Sequence, residues 1–464
     1  MKQRIQPLRH ILSVLLALLS LAFATGCNLT DPVVSVGSPS PVLTQSTVPA
    51  DTVVPETPTA QPQTTPFSSA EVLPSASPGE ANGAGAYTIA ADVSESKKTY
   101  YSEKADENAL RVENGAIAGV DGASVEKRAG DATSLDNVLQ YGLNAAVLAR
   151  ANAQLLLVNS DVTASALGAG GVFAFGGRVQ LENSVVRATG ASSFALASSG
   201  GGSVSTKESN LSTQGATSPA IVAMPGGEVF LDGGIAATGG DASPVVLARG
   251  SVTANNATLR ANNSEAIAVN GGSITLSDCA ASGRMPDAAV TGTKLSPYCI
   301  ALYQDGGASG ELSAFSMTRG ALSAIRGDLF FVTNTGASIY LEGVSLSLAE
   351  GRALLRVSGN DGSRGWGEAG RNGANCAVIA KNQQLMGDII VDELSSVSLT
   401  LRGTTAYTGT INTANTARAA KVTLEDGATW TLTGNAYLTA FTGRVSGIVT
   451  NGYTVYINDV ALTD

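Results

Sequence analysis

The chain has 464 residues, of which 44% are apolar, only 5% aromatic and 14% charged, with 53 glycines and a net charge of −10. An acidic balance excludes nucleic acid as a partner, because phosphate binding needs a basic surface. The one histidine, His10, lies in a segment expected to be cleaved, which excludes a Ser-His-Asp triad, a histidine base and a His-rich zinc site in the mature chain.

Residues 1–26 read as an export signal. Lys2, Arg4 and Arg9 form a basic start, and Ile11 to Phe23 is an apolar run. That run falls short of the roughly 20 residues a membrane span needs, and suits a signal core. The sequence Ala24-Thr25-Gly26-Cys27 resembles a bacterial lipobox, with Ala24 where Leu is usual. The resemblance implies that Cys27 carries lipid and becomes the new N-terminus; an ordinary secretory signal is the alternative. Removing three basic residues leaves 25 against 38 acids, a net charge of −13.

Residues 27–86 form a Pro/Thr/Ser-rich linker expected to be disordered. Ten of the sixteen prolines fall between Pro32 and Pro78, without a single Lys or Arg. Such a segment cannot bury enough apolar surface to offset its ordering entropy. Extended at about 3.1 Å per residue, it would span up to about 170 Å, as a stalk crossing a cell wall would. A leftover of no selected length is the other reading.

Residues 87–464 are a repeat array. Gly176-Gly177-Arg178-Val179, Gly201-Gly202-Ser203-Val204, Gly226-Gly227-Glu228-Val229 and Gly271-Gly272-Ser273-Ile274 are versions of one unit. The first β-branched residue falls at Val179, Val204, Val229, Val252 and Ile274, with Leu155 one unit earlier, so the period is 22 to 25. Each unit holds three short alternating stretches joined by Gly, Asn, Ser and Thr turns. This predicts an all-β, single-stranded, right-handed parallel β-helix of about 14 coils, a rod of about 65 Å at 4.8 Å per coil. Small side chains suit a narrow interior with aligned ladders. Residues 87–109 are expected as the N-terminal cap, before a first coil at Ala109–Val112. Residues 421–464 are expected as the C-terminal cap region, with Asn451-Gly452 signalling a hairpin.

The stretch from Glu107 to Asn458 resembles a family of largely uncharacterised right-handed β-helix, adhesin-like surface proteins of Gram-positive gut bacteria. The resemblance rests on Glu107–Val112, Tyr141-Gly142-Leu143-Asn144-Ala145-Ala146, Phe331-Val332-Thr333-Asn334-Thr335, Leu355–Asp361, Arg364-Gly365-Trp366-Gly367 and Gly409–Ala414. The surroundings of Trp430 resemble the C-terminal part of autotransporter passengers. These likenesses imply a fold and a surface location, and carry no reaction.

Two segments break the period and are expected to bulge from the rod. Asn360 to Cys376 carries Asn360, Asp361, Arg364, Trp366, Glu368 and Arg371, a candidate ligand-binding loop, since binding residues often sit on loops of a rigid scaffold. Its competing reading is a structured corner, with the arginines paired to acids and Trp366 covering the core. Arg284 to Gly310, with Tyr298 and Tyr303, is the second. Gly365–Gly370 fits G-x-G-x-x-G by letters but lacks the strand and helix such a fingerprint needs. Cys279 and Cys299 lie about one coil apart, close enough for a disulfide in an exported protein; unpaired interior thiols are the alternative, and Cys376 is left over.

The function expected is therefore a lipid-anchored, extracytoplasmic binding or adhesion module displayed at the cell surface, presenting a rod to an extracellular glycan or surface protein without catalysis. No cofactor and no metal site are indicated; calcium between turns stays open. The alternative is a polysaccharide lyase or glycoside hydrolase, as in pectin lyase-like proteins. Against it, Asp232, Asp241, Asp278 and Asp361 fall in different coils at no shared register, and no lysine patch awaits an acidic polymer.

Overall fold

The computed structural model describes residues 81–286, 296–306 and 312–463, all within one compact unit, Phe67–Asp464. The expected signal, Cys27 and nearly all of the linker lie outside the described residues. Short strands follow one another around a rod and stack into long parallel sheets of 12, 14 and 10 strands, here named faces A, B and C. The fold is a parallel β-helix.

Register follows the sequence period. On face B, Leu155 pairs with Val179, Val179 with Val204, Val204 with Val229, Val229 with Val252 and Val252 with Ile274. Each of these side chains is at most 1% exposed, so one aliphatic column runs along the interior. Between them the outward residues are polar, as in Arg178–Glu182 and Ser203–Lys207. A one-residue slip would turn the whole column out to solvent. Face A differs, because Val147–Arg150, Phe194–Ser199 and Tyr298–Tyr303 are buried on both sides. Something must therefore cover its outside.

The repeated Gly-Gly has two separate causes. The first glycine turns the corner from face A to face B in the left-handed region, as Gly201 does at φ 80. The second packs against the coil before it, so that a Cβ on Gly202 would lie 2.2 Å from the Ala174 carbonyl oxygen. The corner from face B to face C holds another left-handed residue in coil after coil. Asn159, Asn183, Glu208, Asn256 and Asp278 occupy it with φ between 47 and 54, and Asn183 N–H donates to the Lys207 carbonyl of the next coil (3.0 Å). Asn and Gly tolerate this backbone best.

Buried serines tie coils together just past these corners. Ser160 N–H donates to Ser184 Oγ (3.1 Å), and Ser184 N–H to Ser209 Oγ (3.2 Å). Cys279 takes the same place several coils on, its Sγ 3.3 Å from the Ala254 and Ser277 carbonyls. Cys279, Cys299 and Cys376 are all free and buried. No disulfide joins Cys279 to Cys299. Burial pushes Cys299 and Cys376 up to about 12, so these thiols behave as small apolar side chains.

The expected N-terminal cap takes the form of a coil. Ala84–Ile89, Val93–Ser96 and Thr99–Ser102 pair in parallel with the strands that follow them on faces A, B and C. At the other end a hairpin is present, but not where Asn451-Gly452 pointed. Asn451 and Gly452 turn a corner between Ile448–Val449 and Val455–Ile457, both of which pair in parallel with earlier strands. The antiparallel pairing joins Val455–Ile457 to Val460–Ala461 through Asn458 and Asp459, at φ 46 and 66. Trp430 fills the interior beneath this end, fully buried, its Nε1 donating to the Gly409 carbonyl (3.0 Å).

Candidate functional site

Among the described residues three coils are long, and where their extra residues are described they lie on the outside of face A. Between Ala118 and Leu155, which pair on face B, the chain inserts the helix Leu135–Tyr141. Ser134 caps its start by accepting from Asn137 N–H (3.3 Å), and Gly142 ends it at φ 73. Its Val138 belongs to one buried apolar cluster with Leu148, Phe173, Ala197 and Val222 on the outside of face A. Sequence reading missed this helix, although Ser134 and Gly142 are its expected punctuation. The other two insertions are the two period breaks found in the sequence. Ile274 pairs with Phe315 and Ile339 with Val378, in each case across far more chain than one regular period.

These two segments, distant in sequence, meet in one aromatic cluster. Tyr298, Tyr303, Phe331 and Trp366 pack with Met285 over Ala268 and Ala301. The Trp366 ring lies 4.2 Å from that of Tyr303, centre to centre, and is only 5% exposed. It offers no open ring face to a sugar; it covers the outside of face A. Arg364 lies over that ring at 5.3 Å and donates from Nη1 to the Tyr298 hydroxyl (2.9 Å). Asn360 donates from Nδ2 to Thr333 Oγ1 (2.7 Å) and the Trp366 carbonyl (3.0 Å), and Asn372 also holds that carbonyl (3.1 Å). Asp361 accepts from Ser363 N–H and Oγ (3.1 and 2.6 Å) within the same turn. Arg371 pairs with Glu368 at 3.3 Å, both exposed. Asn360 and Trp366 thus build the loop, Arg364 and Asp361 stabilise its turn, and Glu368 with Arg371 lies on its outer surface.

The helix and the aromatic cluster cover two separate stretches of face A, and Leu247 lies at the margin of both. Beside the aromatic cluster lies a cleft of about 630 Å³, within the usual range for ligand sites. One wall is made by Tyr303, Trp366, Arg364 and Ser363, and the other by corners of successive coils carrying Pro219, Asp241, Pro244 and Glu265. Its floor is Leu247 and Ala268 of face A. Glu265 stands where the two previous coils have Pro219 and Pro244, since Ile221 pairs with Val246 and Val246 with Ile267. Its side chain is 6% exposed and takes one hydrogen bond, from Ser264 Oγ to Oε2 (2.6 Å). Burial holds the Tyr298 and Tyr303 phenols well above their ordinary range, and the Glu265 charge pushes them further the same way. Both stay protonated at any physiological pH.

Of the four aspartates read as scattered, Asp241 alone lines this cleft. Asp278 pairs with Arg319 (2.6 Å) at a corner, and Asp232 receives a hydrogen bond from Asn256 (3.4 Å). Glu265 went unnoticed in the sequence, and the signal was there: an acid at a turn position that earlier coils give to proline. Among the described residues no group of three or more His, Cys, Asp or Glu could hold a metal ion, and no helix is long and apolar enough to cross a membrane. No family model, curated protein or solved structure matches this chain. The fold is defined by its own geometry, a parallel β-helix with one lidded outer face.

Proposed function

We propose that this protein is a binding module of the cell surface, held to the membrane by lipid on Cys27, carried outward by the Pro-rich stalk, and engaging an extracellular glycan or protein in the cleft on face A. The observation that carries the reading is the cleft itself, a built concavity on an otherwise regular rod, walled by Tyr303, Trp366 and Arg364 on one side and by Glu265 on the other. Two insertions from distant parts of the sequence converge to make it, which a purely structural rod would not need. The lipobox-like Ala24–Cys27 and the resemblance to adhesin-like surface proteins support the location.

A second reading has one observation in its favour. Asp241 and Glu265 line the same cleft, and two carboxylates are the minimum for glycoside hydrolysis. A single experiment separates the two. The purified full chain is tested against a panel of host and plant polysaccharides, with retention and chain shortening both scored, with and without calcium. Retention without shortening, reduced by Arg364→Ala, is the expected result. Shortening that is lost in Glu265→Gln would replace the binding reading with the hydrolytic one. For the anchor, mass spectrometry of the exported chain is expected to find a diacylated Cys27 at the N-terminus, and Cys27→Ser to release the protein into the medium.

A further inference from the structure

We infer that the ligand of this cleft carries a protonated amine on a sugar, so that the module selects amino sugars over their N-acetylated forms. The inference rests on the cleft being the binding site and adds the class of its ligand. The titratable groups lining the cleft are Asp241, Glu265, Tyr303 and Arg364. The two phenols of the cluster, Tyr298 and Tyr303, are neutral. Arg364 is already committed: its guanidinium lies over Trp366 and donates to the Tyr298 hydroxyl. Arg249 pairs with Asp305 at 3.1 Å, and the exposed Arg284, whose backbone N–H donates to the Ser264 carbonyl (3.0 Å), forms no ion pair with Glu265 or Asp241. Among the described residues the two carboxylates have no such partner. Asp241 is exposed at its corner and meets no described cation, and the only hydrogen bond to Glu265 comes from the neutral Ser264.

Glu265 is largely withdrawn from bulk water and has one hydrogen bond, from a neutral hydroxyl, so its free oxygen is open to a cationic partner in the cleft. Its Oε1 takes no hydrogen bond from the described residues, and the side chain lines the cleft. An ammonium group bound there supplies both the missing charge and the missing donors, and such charge-assisted hydrogen bonds are roughly twice as strong as neutral ones. Asn263, also in the lining, offers an amide to a hydroxylated ring, and Ser363, whose hydroxyl proton goes to Asp361 (2.6 Å), offers an acceptor oxygen. An acetylated amine would bring neither the charge nor more than one donor.

The test is titration calorimetry of the full chain with three probes: a glucosamine trimer, the N-acetylglucosamine trimer and a trilysine peptide. The glucosamine trimer is expected to bind at least tenfold more tightly than the other two, and less tightly as salt is raised. Glu265→Gln and Asp241→Asn are each expected to weaken it at least tenfold; Asp241 is exposed, so the second variant keeps its fold. Equal affinity for the two sugar trimers, tighter binding of trilysine, no binding of the glucosamine trimer, or unchanged affinity in both variants would each overturn the inference. Retention of some other polysaccharide in the wider panel would still leave the binding module standing.

Discussion

Replacing Ser218 by alanine tests whether buried hydroxyls hold neighbouring coils together. Ser193, Ser218 and Ser243 occupy one position of three successive coils, all 2% exposed or less. Ser218 Oγ accepts from the Ser193 N–H (3.1 Å) and lies within hydrogen-bond reach of the Ala216 and Gly190 carbonyls (2.9 and 3.1 Å). In Ser218→Ala both carbonyls keep another donor, because Ser192 N–H reaches Ala216 (2.9 Å) and Ser193 Oγ reaches Gly190 (2.7 Å). The Ser193 N–H keeps none. The cost is therefore that of one buried orphan donor, about 1–3 kcal/mol, with almost no loss of packing volume. Ser243→Ala orphans the Ser218 N–H (2.9 Å in the native chain) and also removes the hydroxyl that donates to the Gly215 carbonyl (3.0 Å). The two orphans are different amides, so the double variant should be worse than either single, with a coupling term because the two residues touch (2.9 Å). Native-state hydrogen exchange at Ala195 and Leu196, which bond the next coil through the Ala220 carbonyl, reports the local loss, expected as roughly 5- to 150-fold faster exchange. Denaturant melts followed by circular dichroism give the global value. A loss below about 0.5 kcal/mol in Ser218→Ala, or a double variant no worse than either single, would refute the claim that each hydroxyl satisfies a separate buried amide.

The corner residues give a second prediction: Asn183→Ala, at φ 47, should cost about 1–2 kcal/mol in a denaturant melt, while Asn183→Gly stays within a few tenths. Lys127 gives a pH dependence. Its Nζ is buried with the Ser102 hydroxyl (3.2 Å) and the Lys104 and Glu107 carbonyls, and burial lowers its pKa to about 8. Between pH 8 and the unfolded value of about 10.4 the unfolded chain binds more protons. The Lys127 penalty, complete below pH 8, is thus relieved as pH rises through that window. The stability of wild type should therefore gain on that of Lys127→Met from pH 8 to 10, and parallel curves would contradict this. Cys279, Cys299 and Cys376 should resist a thiol reagent in the folded protein and react once denatured, whereas an intact-mass loss of two hydrogens would reveal a disulfide.

The 22-to-25-residue period named the residues that stack on face B, from Leu155 to Ile274, because in a β-helix a fixed repeat length is a fixed register. Each coil contacts only its neighbours, so local pattern and long-range pairing carry the same information. The Gly-Gly signature was legible for the same reason, as it meets a steric demand renewed in every coil. The hairpin was placed too early because Asn-Gly specifies a tight turn, and whether the strands around it pair with each other or with the coil below depends on what that coil offers. Ser134 and Gly142 bounded a helix that the period hid, since seven residues are too few to show their own. The sequence also marked the segments around Tyr298 and Trp366 as interruptions. It could not show that they meet, that Trp366 buries its ring against Tyr303, or that Glu265 and Asp241 close the opposite wall. Those contacts join residues from different coils that share no repeat position. They were decided by the apolar outside of face A, which the insertions cover only in part, leaving the cleft beside the aromatic cluster.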